Sequence, residues 1–359
     1  VWETLRRGPA NVKAGGAMTT DGDFIYALRG DDKKDFWRYS RFADNWSSPV
    51  TETPDRVKEG GALAHGAGFL YAFRGDGKKD FWRYNLDTRA WEDRADAPEN
   101  VKWGGALAAD GGNLVFAFRG DDKKDFWTYN ISANFWTKMA DAPDKVKAGG
   151  ALVYLNGNLY AFRGDGKKDF WKYDVDAGSW SSMPDAPGDV KEGGSLTTDG
   201  TNLFALRGDG KRDFWKYNFS AGAWITMARA PENVKAGGAI VSWSGEIYAI
   251  RGDGKKDFWR FAAPPATPAS TVTLDTLEFD TLKGKTPDIL LIFGSVYAIA
   301  YSGDGDDGFL KTVEIAAAGQ ITDAAIDTLE FDTVKGKTAS IVPISGNVYA
   351  IAYAGDGDD

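Results

Sequence analysis

Short runs of alternating apolar and polar residues, four or five long and broken by Gly, Asp or Asn, fill the first 261 residues. In residues 149–180, Ala151-Leu-Val-Tyr-Leu predicts a first strand and Asn156-Gly157 a tight hairpin turn. Asn158-Leu-Tyr-Ala-Phe predicts a second strand ending at Arg163, Asp169-Phe-Trp-Lys-Tyr a third, and Trp180 opens a fourth. Aromatic and β-branched residues in segments this short favour strand over helix.

That stretch is one of six near-identical copies. Each reads Val-Lys-x-Gly-Gly, an alternating apolar stretch, Arg-Gly-Asp, then Lys-Lys-Asp-Phe-Trp or a close variant. The glycine pairs begin at Gly15, Gly60, Gly104, Gly149, Gly193 and Gly237, a spacing of 44 or 45 residues. A fixed period of that size marks an array whose units bury their apolar faces against one another. Four short strands per unit make a propeller blade.

Tryptophan spacing predicts how the array closes. Trp46, Trp91, Trp136, Trp180 and Trp224 each follow the third-strand tyrosine by seven residues, whereas the sixth unit has Phe261 and then Pro268, where no fourth strand can form. Trp2 stands 13 residues before Gly15, the spacing of most other units, so the segment around Val1-Trp-Glu-Thr-Leu is expected to complete blade six. Such closure removes exposed sheet edges.

A glycine turn after strand two, an aromatic third strand ending in Tyr and a Trp seven residues on resemble the kelch family of β-propellers over residues 1–261. The resemblance implies an all-β, six-bladed ring closed by its N-terminal strand. The chain departs from kelch repeats in carrying Arg-Gly-Asp where they have a double glycine, and the Gly-His and Trp-Asp marks of WD40 repeats are missing. A kelch-like fold says little by itself about function.

Residues 262–274, Ala262-Ala-Pro-Pro-Ala-Thr-Pro-Ala-Ser onward, predict a stiff Pro-rich linker. Beyond it, Asp275-Thr-Leu-Glu-Phe-Asp-Thr recurs at Asp327 and Gly294-Ser-Val-Tyr-Ala-Ile-Ala-Tyr recurs at Gly346, a period of 52. Ile289 to Phe293, Val296 to Tyr301 and Phe309 to Ile315 are its expected strands. Residues 275–359 are thus expected to form an incomplete second β-repeat module, the second copy breaking off at Gly355-Asp-Gly-Asp-Asp. A competing arrangement adds these units to the ring as blades seven and eight.

Composition narrows the function classes. The chain has no cysteine, which removes disulfides, thiolate metal sites and cysteine nucleophiles and fits an exported prokaryotic protein. Beginning at Val1 rather than Met suggests a processed form or a fragment. No apolar run is long enough for a membrane span. The net charge of −9 is uneven: residues 262–359 hold 15 acids and 5 bases, leaving the first 261 residues with 37 acids and 38 bases. A near-neutral body with an acidic tail argues against nucleic acid as a partner.

Strands alternate direction in a blade, so the loops from strand two to three and the Val-Lys-x-Gly-Gly turns fall on one face. Lys13, Lys58, Lys102, Lys147, Lys191 and Lys235 should ring the channel mouth, with Arg29, Arg74, Arg119, Arg163, Arg207 and Arg251 in a second ring outside. Such cations would attract carboxylated, sulfated or phosphorylated ligands. The alternative is that each arginine pairs with a loop aspartate, Arg163 with Asp165 or Asp169, and only holds the structure together. Six Arg-Gly-Asp tripeptides resemble integrin ligands, although a local turn constraint explains their repetition equally. Twelve of the 14 tryptophans keep repeat positions and are expected to pack between blades; Trp103 and Trp243 do not. Trp103, beside Lys102 at the expected channel mouth, could stack on a sugar ring.

Catalytic material is sparse. His65 is the sole histidine, so a Ser-His-Asp triad has a single candidate with no positional support, and the copper site of galactose-oxidase-like kelch proteins lacks the histidines and cysteine it needs. A kelch-type sialic-acid mutarotase could work with arginine and carboxylates alone. Asp304-Gly-Asp306-Asp307-Gly308 resembles a calcium loop but lacks the EF-hand spacing and distal glutamate. The sequence therefore predicts a non-enzymatic extracellular or surface-bound adhesion scaffold without cofactor, for anionic glycans or a protein partner. The other readings are a carbohydrate-active mutarotase or lyase and an assembly module that recruits chains by strand addition.

Overall fold

In each predicted unit the turn residues sit where the backbone must reverse, and the apolar residues between them pair as antiparallel strands. The computed structural model describes residues 1–262, 285–293, 296–302, 308–314, 327–332, 337–345 and 348–354. The Pro-rich linker, the first Asp275 repeat, Asp304 to Asp307 of the calcium-like loop and the Gly355-Asp-Gly-Asp-Asp end lie outside them. The chain divides into two compact units, Val1–Pro265 and Ala266–Asp359.

The first unit holds six four-stranded antiparallel sheets. Blade four illustrates them: Ala151–Leu155, Asn158–Phe162, Phe170–Asp174 and Ser179–Met183, paired in that order. Its third strand begins at Phe170, one residue later than the sequence suggests, and the Asp169 carbonyl just before it accepts from the Arg163 amide. Blade six is built from Ala239–Trp243, Glu246–Ile250, Phe258–Phe261 and, on the outside, Trp2–Thr4. Trp2 stands opposite Phe261, Glu3 opposite Arg260 and Thr4 opposite Trp259. The N-terminal strand therefore closes blade six, as the tryptophan spacing predicts.

The core lies between blades rather than within one. Six apolar clusters each join two neighbours, and one joins blade six to blade one through Tyr248, Ile250, Phe258, Trp37, Tyr39 and Trp46. The ring is complete with six, which excludes the arrangement with blades seven and eight. A repeated aromatic contact carries the packing: the fourth-strand tryptophan meets the third-strand phenylalanine of the preceding blade edge-on. Trp46–Phe258, Trp91–Phe36, Trp136–Phe81, Trp180–Phe126, Trp224–Phe170 and Trp2–Phe214 all have ring centroids 4.8–5.0 Å apart. Edge-to-face pairs add to the burial of large rings. The indoles of Trp46, Trp136, Trp180, Trp224 and Trp2 also donate to the carbonyls of Arg6, Ala95, Ala140, Pro184 and Ala228. Trp243, the other tryptophan outside the repeat, is buried between blades six and one and donates to the Gly22 carbonyl at 2.7 Å.

In the second unit, Lys285–Phe293, Val296–Ser302, Gly308–Glu314 and Asp327–Asp332 form one four-stranded sheet, and Lys337–Ser345 pairs with Val348–Ala354 in another. Asp327–Asp332 opens the second sequence repeat yet supplies the outer strand of the first sheet, so repeat and sheet are out of phase there too. Among the described residues no helix is long and apolar enough to cross a membrane.

Candidate functional site at the channel mouth

The first strands of all six blades line the channel, and the six Val-Lys-x-Gly-Gly turns form its throat on one face. Each turn is closed by a short-range bond, the Gly150 amide donating to the Lys147 carbonyl at 2.7 Å in blade four. The glycines are required by crowding. A Cβ on Gly149 would lie 2.2 Å from the Lys191 carbonyl oxygen of the next blade, and the backbone there has φ +89°. The corresponding contact from Gly237 reaches Lys13 and completes the circle.

The Arg-Gly-Asp loops fold down onto these turns. A Cβ on Gly164 would meet the Ala148 carbonyl oxygen at 2.5 Å, while the Asp165 amide donates to that same oxygen at 2.9 Å. All six arginines pair with the aspartate six residues on at 3.0–3.4 Å, and their side chains are only 16–22 % exposed. Five of them, Arg29, Arg119, Arg163, Arg207 and Arg251, also donate through Nε to a backbone carbonyl in the segment before their own first strand. Arg74 instead takes Asp55 at 2.9 Å. For Arg163 the partners are Asp169 and Asp144, not Asp165. The arginine ring is thus spent on clamping loops, and the tripeptide is not a free, protruding tip.

The lysines do surround the mouth, but carboxylates alternate with them. Lys13 pairs with Asp31 at 3.1 Å. Lys58 lies between Asp32 and Asp76, and Lys147 between Asp122 and Asp165 at 3.4 Å from each. Asp165 and then Asp122 hold the Lys147 ammonium above its ordinary range. Among the described residues Lys102, Lys191 and Lys235 make no ion pair. The residues before the glycine pairs add Glu59 and Glu192 to the throat. The mouth is a mixed crown, not a purely cationic ring.

One place breaks the sixfold pattern. Trp103 is 38 % exposed, the most open of the tryptophans, and lines both the throat and an adjoining recess of about 290 Å³. Its backbone is fixed by the Asp121 amide, which donates to the Trp103 carbonyl at 2.9 Å. Blade three contributes Trp103, Asp121 and Asp122; blade four contributes Lys147, Ala148 and Asp165; blade five contributes Lys191 and Glu192. Of the sequence-predicted residues, the recess therefore unites Trp103, Lys147 and Lys191. The other lysines stand around the ring, and the arginines lie outside it. Sequence reasoning missed Asp121, Asp122, Asp165 and Glu192. The signal available was that Asp122 replaces the glycine found at this loop position in blades two, four, five and six.

His65 lies on the opposite side of the channel from the recess, among Thr20, Ala109 and Thr198 at the far ends of the first strands. Burial lowers its pKa, with Asp21 pulling weakly the other way.

No family model and no curated protein sequence matches the chain. Among solved structures it is similar to that of YjhT, with 17 % identity and a TM-score of 0.58 over 71 % of this chain and 95 % of that one. A Bacteroides thetaiotaomicron protein of unknown function aligns with 15 % identity and a TM-score of 0.57 over 73 % of this chain and 75 % of its own. The WD40 repeats of RRP9 align with 11 % identity and a TM-score of 0.52 over 72 % and 96 %. At such identities the likeness concerns architecture alone, and with the six closed sheets it makes the first unit a six-bladed β-propeller.

Proposed function

We propose that the propeller is a non-enzymatic binding scaffold, exported or surface-attached, that takes a saccharide in the recess beside Trp103. The observation that carries this reading is an exposed indole at the edge of a concave recess, apolar over most of its lining and bordered by charged side chains, in a protein whose other tryptophans are used for packing. An indole face suits the C–H face of a pyranose, and the surrounding carboxylates and ammonium groups can accept from and donate to its hydroxyls. At about 290 Å³ the recess is close to the lower bound of small-molecule sites, roughly 300 Å³. The wheel supplies rigidity, since every turn at the mouth is locked by the backbone of the next blade. The interleaved carboxylates weigh against the anionic glycan that the lysines alone suggest.

The test is a glycan array followed by calorimetric titration of any hit. Trp103→Ala should weaken binding about tenfold, equivalent to ~1.4 kcal/mol, without altering the melting temperature. A folded protein that binds no saccharide, or binds with Trp103→Ala unaffected, removes the reading. Release of a cleaved or epimerised sugar during the titration would move it to the carbohydrate-active enzymes.

A further inference from the structure

We infer that the recess selects a positively charged saccharide unit, an amino sugar bearing a free ammonium group; this rests on the saccharide reading above. Four carboxylates line the recess against two ammonium groups. One of the two, Lys147, is already held between Asp122 and Asp165, and Asp122 also accepts from Lys145. Among the described residues neither Asp121 nor Glu192 has an ion-pair partner, although both line the recess with Trp103. Lys102, the neighbour of Trp103 in sequence, does not reach Asp121 as Lys13, Lys58 and Lys147 reach their own loop aspartates. A pyranose stacked on Trp103 would therefore meet two uncompensated carboxylates, and an ammonium substituent would complete them with charge-assisted hydrogen bonds. The indole adds attraction for the same cation. A uronate in that position would face those carboxylates with only Lys191 to offset them.

The experiment titrates the intact chain with three tetramers: glucosamine, N-acetylglucosamine and a uronate. Tryptophan fluorescence and calorimetry are the readouts, at low and at high salt. Asp121→Asn and Glu192→Gln remove charge while keeping shape, and asparagine tolerates the φ of +55° at position 121. The expected result is glucosamine tightest, its affinity falling with salt and dropping about tenfold in the double variant, in line with the loss of charge-assisted bonds. N-acetylglucosamine binding should be indifferent to both changes. If the acetylated tetramer or the uronate binds as tightly as glucosamine, the charge selection is wrong and the saccharide site stands. If none of the three binds and the array is also empty, both fall together.

Discussion

Trp2 stands in antiparallel register with Phe261, its ring 5.2 Å from that residue and 5.0 Å from Phe214 of the neighbouring blade. The opposite ends of the wheel are joined by the same edge-on contact and indole hydrogen bond that join its internal blades. Closure is thus an ordinary blade contact made between distant parts of the chain. The short strand Trp2–Thr4 is further held by Glu3, which takes the guanidinium of Arg260.

Trp2→Ala should cost about 2–4 kcal/mol, near the lower end for a large aromatic because the side chain is only half-buried. The melting temperature should fall by roughly 5–10 °C for a domain of this size. Trp180→Ala, the matching change inside the ring, should behave alike in the same calorimetric scan. An unchanged melting temperature for Trp2→Ala alone would mean that the N-terminal strand does not secure the ring.

Gly149 and Gly157 both adopt positive φ, +89° and +75°, but only Gly149 faces a crowded neighbour. Gly157→Ala should cost only the left-handed backbone penalty, about 1–2 kcal/mol. Gly149→Ala adds a clash with the Lys191 carbonyl and should lose about 2–4 kcal/mol. Urea unfolding of the two variants side by side measures the difference, and equal losses would refute the crowding argument.

The recess has an incomplete counterpart across the wheel. Ala236 and Gly254 of blade six occupy the places of Trp103 and Asp122, while Asp253, Lys13, Asp31, Lys58 and Glu59 match the remainder. An aspartate fits at position 254, because Asp32 and Asp122 hold the same conformation at φ 58° and 60° and a Cβ there meets only the Lys13 side chain. The pair Ala236→Trp and Gly254→Asp should raise the saccharide stoichiometry from one to two per chain in calorimetric titration. A folded double variant that still binds one equivalent would show that this residue set is insufficient.

His65 gives a pH dependence whose sign is fixed by burial. Its ordinary pKa is 6.5, and burial in the folded wheel lowers it. Between the two values the unfolded chain binds more protons than the folded one, so stability rises with pH through that window. Acidification below about 6.5 should therefore destabilise the wheel until the folded imidazole also protonates. His65→Gln should remove this slope from a plot of melting temperature against pH; an identical slope in the variant would assign it to other groups.

Much of the fold was legible because it is periodic. The 44- or 45-residue spacing, the Asn156-Gly157 turn and the seven residues from Tyr173 to Trp180 are local constraints, and each copy repeats them. Even ring closure could be read, since the Trp2 to Gly15 interval matches that of blades further on. Trp103 was identifiable as a departure from the pattern and proves exposed, whereas Trp243, the other departure, is buried.

Charge pairing was legible only within a blade: Arg163–Asp169 is one of the two pairings its own loop offers, whereas the carboxylates shared between blades could not be read. Lys147 shares Asp122 from the blade before, and Arg163 reaches back to Asp144 and forward to Asp169. A linear pattern of lysines and arginines fixes which face they occupy and offers the partners within a loop, but not the carboxylates that a neighbouring blade brings, as Asp122 to Lys147. That depends on side-chain reach across a seam formed only when neighbouring sheets pack. The recess follows the same logic: Trp103 and Asp122 stand out in their own copy, but the residues of three blades that surround them converge at the throat only when neighbouring blades pack.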